Sequence, residues 1–227
     1  MLQLKNISKR FGGVKAVDRC SFEVKENTIT SLIGPNGAGK TTVFNIISGL
    51  TKADAGTIRL SGKNISNMPA YKIAQSGISR TFQLTKVFRN MSIRDNLLIA
   101  KKTDENEMKE ILKNVYLEKP LNTIASGLSY GQQRLLEMAR ALLMPHDLLM
   151  LDEPTAGVNP KVRHELKSIL KKLRKDGKTV LLIEHDMGFV MDISDEIIVL
   201  NEGRVLKIGK PKDIMKNKKV LEAYLGK

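Results

Sequence analysis

The stretch Thr28-Ile29-Thr30-Ser31-Leu32-Ile33-Gly34-Pro35-Asn36-Gly37-Ala38-Gly39-Lys40-Thr41 decides the fold of this chain. Residues 28–33 read as a buried strand that enters a glycine-rich turn without a linker. A helical pattern follows over residues 41–48. Residues 34–41 match G-x-x-x-x-G-K-[ST] in full, in the strand–turn–helix setting the motif requires. The glycines let backbone N–H groups turn inward around phosphate oxygens, and the helix N-terminus adds partial positive charge. Lys40 can reach β- and γ-phosphates, and the Thr41 hydroxyl suits a magnesium ion. The expected phosphate cradle is Gly34, Pro35, Asn36, Gly37, Ala38, Gly39, Lys40, Thr41 and Thr42.

Two more strand ends carry chemistry. In Leu148-Leu149-Met150-Leu151-Asp152-Glu153, four apolar residues deliver two carboxylates to the end of a buried strand. Ligands of open α/β sheets gather there. Asp152 can hold magnesium through water, and Glu153 can polarise an attacking water as a general base. Residues 179–184 form another apolar run and are followed by His185 and Asp186. A histidine in that position is commonly a structural hydrogen-bonder. A shared sheet with the strands before Lys40 and Glu153 favours a γ-phosphate contact for His185 instead. Apolar runs without polar alternation mark parallel strands covered on both faces. The expected fold is α/β, a mostly parallel sheet with helices on both faces.

Further out, residues 2–8 and 21–24 read as strands of an antiparallel edge sheet, and residues 57–60 as a short strand. Residues 196–200 and 204–208, joined by Asn201-Glu202-Gly203, read as a late hairpin. The pattern changes between residues 92 and 125. Ser92-Ile93-Arg94-Asp95 resembles a capping box, and Leu97, Leu98, Ile111, Leu112 and Leu117 recur at helical spacings. The chain is expected to be one domain over residues 1–227. A small helical subdomain is inserted at about residues 84–145, and a basic helical tail covers about residues 209–227.

Composition narrows the function classes. Hydrophobic residues make up 41% and charged residues 27%, a globular balance. The lone cysteine, Cys20, excludes a disulfide framework, and its apolar neighbours make it a small buried hydrophobe. No apolar stretch approaches the ~20 residues of a spanning helix, and the start offers no signal-peptide core. The expected location is cytoplasmic, with any membrane attachment made through partners. The net charge of +14 could mark a nucleic-acid binder. Aromatic residues total only 4%, however, and the lysines are not interleaved with them, which speaks against stacking on single strands.

The segment Leu128-Ser129-Tyr130-Gly131-Gln132-Gln133 resembles the signature of ATP-binding cassette (ABC) ATPases. The resemblance covers essentially the whole chain. It implies a P-loop nucleoside triphosphatase core that hydrolyses ATP with magnesium, as the energising subunit of a transporter. Phe11 resembles the aromatic that stacks on adenine. Gln83 resembles the glutamine that joins core to helical lobe and helps hold magnesium with Thr41 and Asp152. Residues 156–159 resemble the loop that crosses to the partner subunit, and His185 the switch histidine. Ser129, Gly131 and Gln132 would sit at a helix N-terminus, with the helix running over residues 132–143, and meet the ATP held by the opposite subunit. The implied partners are a second cassette, identical or a sister chain, then membrane-spanning permeases and, indirectly, an extracytoplasmic binding protein. Nucleic acid is not expected.

Tyr130 stands where glycine is usual, and Asn159 where aspartate is common. Both variants, with Ile78-Ser79-Arg80-Thr81-Phe82-Gln83, resemble the ATP-binding subunits of importers for branched-chain and other hydrophobic amino acids. The lobe between residues 100 and 126 is short for that branch. Cassettes for lipid or lipopolysaccharide export, and soluble cassettes acting on nucleic acid, are the alternatives. The last class commonly carries a long coiled coil or two cassettes in one chain, and neither is present.

Overall fold

A computed structural model describes residues 1–81 and 86–225. In chain order the elements are β1 (Leu2–Phe11), β2 (Val14–Val24), β3 (Ile29–Ile33), α1 (Lys40–Ile47), β4 (Ala55–Leu60), β5 (Lys63–Asn64), α2 (Ala70–Gln75) and β6 (Ile78–Arg80). Next come α3 (Ile93–Ala100), α4 (Glu105–Asn114), α5 (Tyr130–Leu143), β7 (Leu148–Asp152), α6 (Pro160–Lys175), β8 (Thr179–Ile183) and α7 (Met187–Ile193). The chain closes with β9 (Glu196–Asn201), β10 (Arg204–Gly209), α8 (Pro211–Met215) and α9 (Lys218–Leu225).

Two sheets form. The larger runs β10-β9-β3-β8-β7-β6, parallel except for the β9–β10 hairpin, and the smaller, antiparallel one runs β2-β1-β4-β5. Every residue of β3, β7 and β8 is buried. Alternation within these strands shows why. Leu148 and Met150, like Leu181 and Ile183, pack with α1 and the smaller sheet. Leu149 and Leu151, like Val180 and Leu182, pack with the layer of α3 to α7. Successive side chains point to opposite faces, so a sheet covered on both sides has no polar alternation to show.

Several boundaries differ from the sequence expectation. β2 starts at Val14, well before residue 21. Arg19 has φ 47° and Asn6 of β1 has φ 52°, and the pairing register shifts between Leu4 and Ile7. Such bulges slip the inward face by one residue, which leaves Val17 and Asp18 both buried and hides the strand from a period-two reading. α5 begins at Tyr130, two residues earlier than expected. β10 runs to Gly209, one residue beyond the expected hairpin strand, and the tail after it is two short helices. Leu98 is 40% exposed, whereas Leu97, Leu112 and Leu117 are buried as their spacing suggested. The capping box at α3 is present: Ser92 Oγ accepts from Asp95 N at 3.1 Å, and Ser92 N donates back to Asp95 Oδ2 at 3.2 Å.

Candidate functional site

The loop over residues 34–39 leaves β3 and feeds α1, whose first residue is Lys40. The turn demands glycine at Gly39, which has φ 96°; a Cβ there would lie 2.4 Å from the Ala16 carbonyl oxygen. Lys40 is buried, and its Nζ donates to the carbonyls of Gly34 at 2.8 Å and Pro35 at 2.9 Å. The lysine thus arches over its own loop. Burial pushes the Lys40 ammonium below its ordinary pKa, while the carboxylates of Glu153 and Asp152 push it up.

β3 pairs with β8, and β8 with β7. Three neighbouring parallel strands therefore end on one edge, at the phosphate loop, at Asp152-Glu153 and at His185. His185 Nε2 lies 3.0 Å from Glu153 Oε1. Glu153 has φ 48°, a left-handed backbone that L-residues with long side chains seldom adopt. Asp152 is buried against Arg80, with Nη2 donating to Oδ2 at 3.0 Å. Burial pushes the Asp152 carboxyl pKa up, and Arg80 opposes that rise.

A cleft of about 530 Å³ opens here, lined by residues 36–42 with Glu153 and His185. Val14, Lys15, Ala16 and Glu202 complete its wall. Sequence reasoning missed these four, which arrive from the antiparallel sheet and the β9–β10 turn. It also passed over Glu184, whose Oε1 accepts from Thr155 N at 2.8 Å and Thr155 Oγ1 at 2.7 Å. Oε2 of the same carboxylate accepts from His185 N at 3.1 Å. One buried carboxylate thereby ties the loop after β7 to the loop after β8, which holds Glu153 and His185 in register.

Phe11 ends β1 half exposed, with Lys9 Nζ 5.4 Å from its ring centre, and is not part of the cleft wall. Ser129 caps α5 in a capping box: its Oγ accepts from Gln132 N at 3.3 Å, and its N–H donates to Gln132 Oε1 at 3.0 Å. Gly131 faces α6 so closely that a Cβ would stand 2.7 Å from Val162 Cγ2. Ser129, Gly131 and Gln132 lie outside the cleft of their own chain. Gln83 lies outside the described residues. The expectation for Cys20 holds, since it is fully buried and burial pushes its thiol up to about 12.

A phosphate loop that opens α1, on the carboxyl edge of a parallel sheet with a second antiparallel sheet beside it, defines a P-loop ATPase core. The family model for ABC transporters matches residues 17–156, and the chain belongs to that family. It is 43% identical to the high-affinity branched-chain amino acid transport ATP-binding protein BraF of Pseudomonas aeruginosa, over all of this chain and 98% of that one. Identity to LivG of Escherichia coli, a protein of the same description, is 41% at the same coverage. The BraF alignment runs over 249 positions, so that relative holds residues with no counterpart among these 227. A nucleotide-free ATP-binding cassette from an ABC transporter superposes with TM-score 0.92 at 32% identity, over 100% of this chain and 99% of that one. A dimeric bacterial ABC transporter cassette superposes with TM-score 0.83 at 28% identity, over 93% of this chain and 99% of the other.

Proposed function

We propose that this chain is the ATP-hydrolysing subunit of a membrane importer for branched-chain or other hydrophobic amino acids, working as half of a head-to-tail pair of cassettes. The observation that carries this reading is the gathering of Lys40, Glu153 and His185 on the ends of neighbouring strands β3, β7 and β8. The amino-acid class comes from the importer subunits that match the chain from end to end.

Phe11 offers a face to adenine, and residues 34–42 wrap the phosphates, with Lys40 turning from its loop carbonyls to the β- and γ-phosphates. Glu153 takes a proton from the attacking water, and His185 orients that carboxylate and meets the γ-phosphate. Ser129, Gly131 and Gln132 of a second copy close the site from the far side, where the exposed start of α5 presents backbone N–H groups. Magnesium fits the donors present. Thr41 offers a hydroxyl oxygen and Asp152 a carboxylate that can act through water, and the described residues include no cluster of three His, Cys, Asp or Glu that would form a protein cage. A cation held by one or two protein oxygens, phosphates and water has this pattern. Thr41 and Asp152 would hold it together with Gln83, and when bound it would draw developing charge off the phosphate oxygens.

Residues 84–145 serve as the lobe that meets the membrane subunits, and residues 209–227 as a basic tail. Phe88, Leu98, Ile99 and Ile124 are all 40% exposed or more and lie on or beside α3, which gives a permease an apolar contact. Among the described residues no helix is long and apolar enough to cross a membrane. Attachment to the inner face of the cell membrane therefore runs through those subunits, and an extracytoplasmic binding protein is engaged only through them.

Glu153→Gln tests the chemistry. Turnover should fall by roughly 10²–10⁴ while ATP affinity stays near the parent value. Near-normal hydrolysis would remove Glu153 from the role. Deleting the gene from its host tests the substrate class: uptake of labelled leucine, isoleucine and valine should drop, and unchanged uptake of all three contradicts the amino-acid reading.

A further inference from the structure

Arg80 ends β6, and its side chain is only 7% exposed. Its guanidinium is shared between two elements of the site. Nη2 donates to Asp152 Oδ2 at 3.0 Å. Nη1 donates to Asn45 Oδ1 at 2.9 Å and to Ser48 Oγ at 2.7 Å, and the group lies 5.6 Å from the Phe44 ring centre. Phe44 and Asn45 belong to α1, and Ser48 is its C-cap. α1 is also the helix that starts with Lys40 and Thr41.

A buried ion pair adds little net stability, because desolvating both charges offsets their attraction. What it does supply is geometry. The guanidinium is a planar fork whose donors point in fixed directions, so one fork can pin a carboxylate and a helix to each other. Lysine, with one ammonium, cannot grip both. The contacts are also divided: Nη1 serves α1, and Nη2 serves the strand end of β7.

We propose that Arg80 is a positioning residue for the magnesium site: it fixes the Asp152 carboxylate to α1, so that the Thr41 hydroxyl and Asp152 keep the separation the cation needs. The inference rests on the reading that Thr41 and Asp152 attend magnesium. Groups that hold metal-site residues from behind typically change metal affinity 10–100-fold when removed.

The test titrates magnesium against binding of a fluorescent ATP analogue, with a parallel arm in EDTA. Arg80→Met should leave binding in EDTA within about twofold of the parent and raise the magnesium concentration at half-effect by about 10–100-fold. Arg80→Lys should recover only part of the loss. Asn45→Ala, which keeps Arg80 but removes one anchor, should shift the same midpoint by a smaller factor. A folded Arg80→Met protein with an unchanged magnesium midpoint overturns the proposal, as does an equal loss of binding in both arms. If Arg80→Met does not fold, as judged by thermal unfolding, Asn45→Ala decides, and an unshifted midpoint there overturns it. Asp152→Asn separates this inference from its premise. A normal magnesium response in that variant removes Asp152 from the metal site, whatever Arg80 does.

Discussion

Gly39 shows how narrowly the phosphate loop is built. Its φ of 96° and the Ala16 carbonyl oxygen, 2.4 Å from where a Cβ would sit, leave no room for a side chain. Gly39→Ala should cost about 1–3 kcal/mol in backbone strain, and more where the Ala16 strand must retreat. Urea unfolding and nucleotide titration should both register it, with ATP affinity falling at least tenfold. The residues legible from sequence at this scale are those on contiguous motifs: Lys40, Thr41, Asp152, Glu153 and His185 each follow an apolar run that names its own strand. Val14, Lys15 and Glu202 reach the cleft from another sheet and a distant turn, so no local spacing announces them. Arg80 was legible as text but not as a contact. Its partners Asn45 and Asp152 lie 35 and 72 residues away.

Among the elements, α5 carries the most weight for its length. Its N-terminus is satisfied by Ser129 and Gln132 in a reciprocal pair, and its flank is pressed on α6 through Gly131. Ser129→Ala should lower stability by about 1 kcal/mol, the usual worth of such a cap, and a urea midpoint shift at constant slope is the measurement. The same variant should weaken ATP-dependent pairing, because Ser129 also faces the partner's nucleotide in this account. Tyr130, the departure from glycine in the signature, is explained by its neighbour. A Cβ on Gly157, in the loop before α6, would lie 3.2 Å from the Tyr130 ring, so the tyrosine packs against the bare backbone of that loop. The three central strands and the capping box of α3 could be read in advance, whereas the reciprocal cap of α5 was not. β6 and α7 could not, since three residues of strand and seven of helix are too short to show a period.

At the scale of the molecule, the two sheets are joined behind the phosphate loop. Gly203 N donates to the Ala38 carbonyl at 3.0 Å, and Asp18 N donates to the Gly203 carbonyl at 2.9 Å. Asp18 is buried and takes Lys15 Nζ at 2.8 Å and Arg204 Nε at 2.8 Å, hydrogen bonds that hold its carboxyl at about 2, below its ordinary 3.8. A carboxylate depressed by folding contributes stability that is complete above its unfolded pKa and lost as pH falls through the folded value. The stability gap between the parent and Asp18→Asn should therefore be full above about pH 5 and close between pH 4 and 2, in thermal unfolding against pH. A gap that persists unchanged at pH 2 would contradict this. The strand order β10-β9-β3-β8-β7-β6 was beyond the sequence, because long-range pairing leaves no local pattern; only membership of one sheet could be inferred. In the proposed pair the cleft is half a site, since Lys40 lines its wall and Ser129 lies elsewhere on the surface. The most direct measurement is the solution mass of Glu153→Gln by light scattering with magnesium and ATP. The 25.3 kDa chain should double in mass, and return to monomer when Ser129→Arg is added. A nucleotide-saturated Glu153→Gln protein that stays at the mass of one chain would contradict the shared site at the centre of this account.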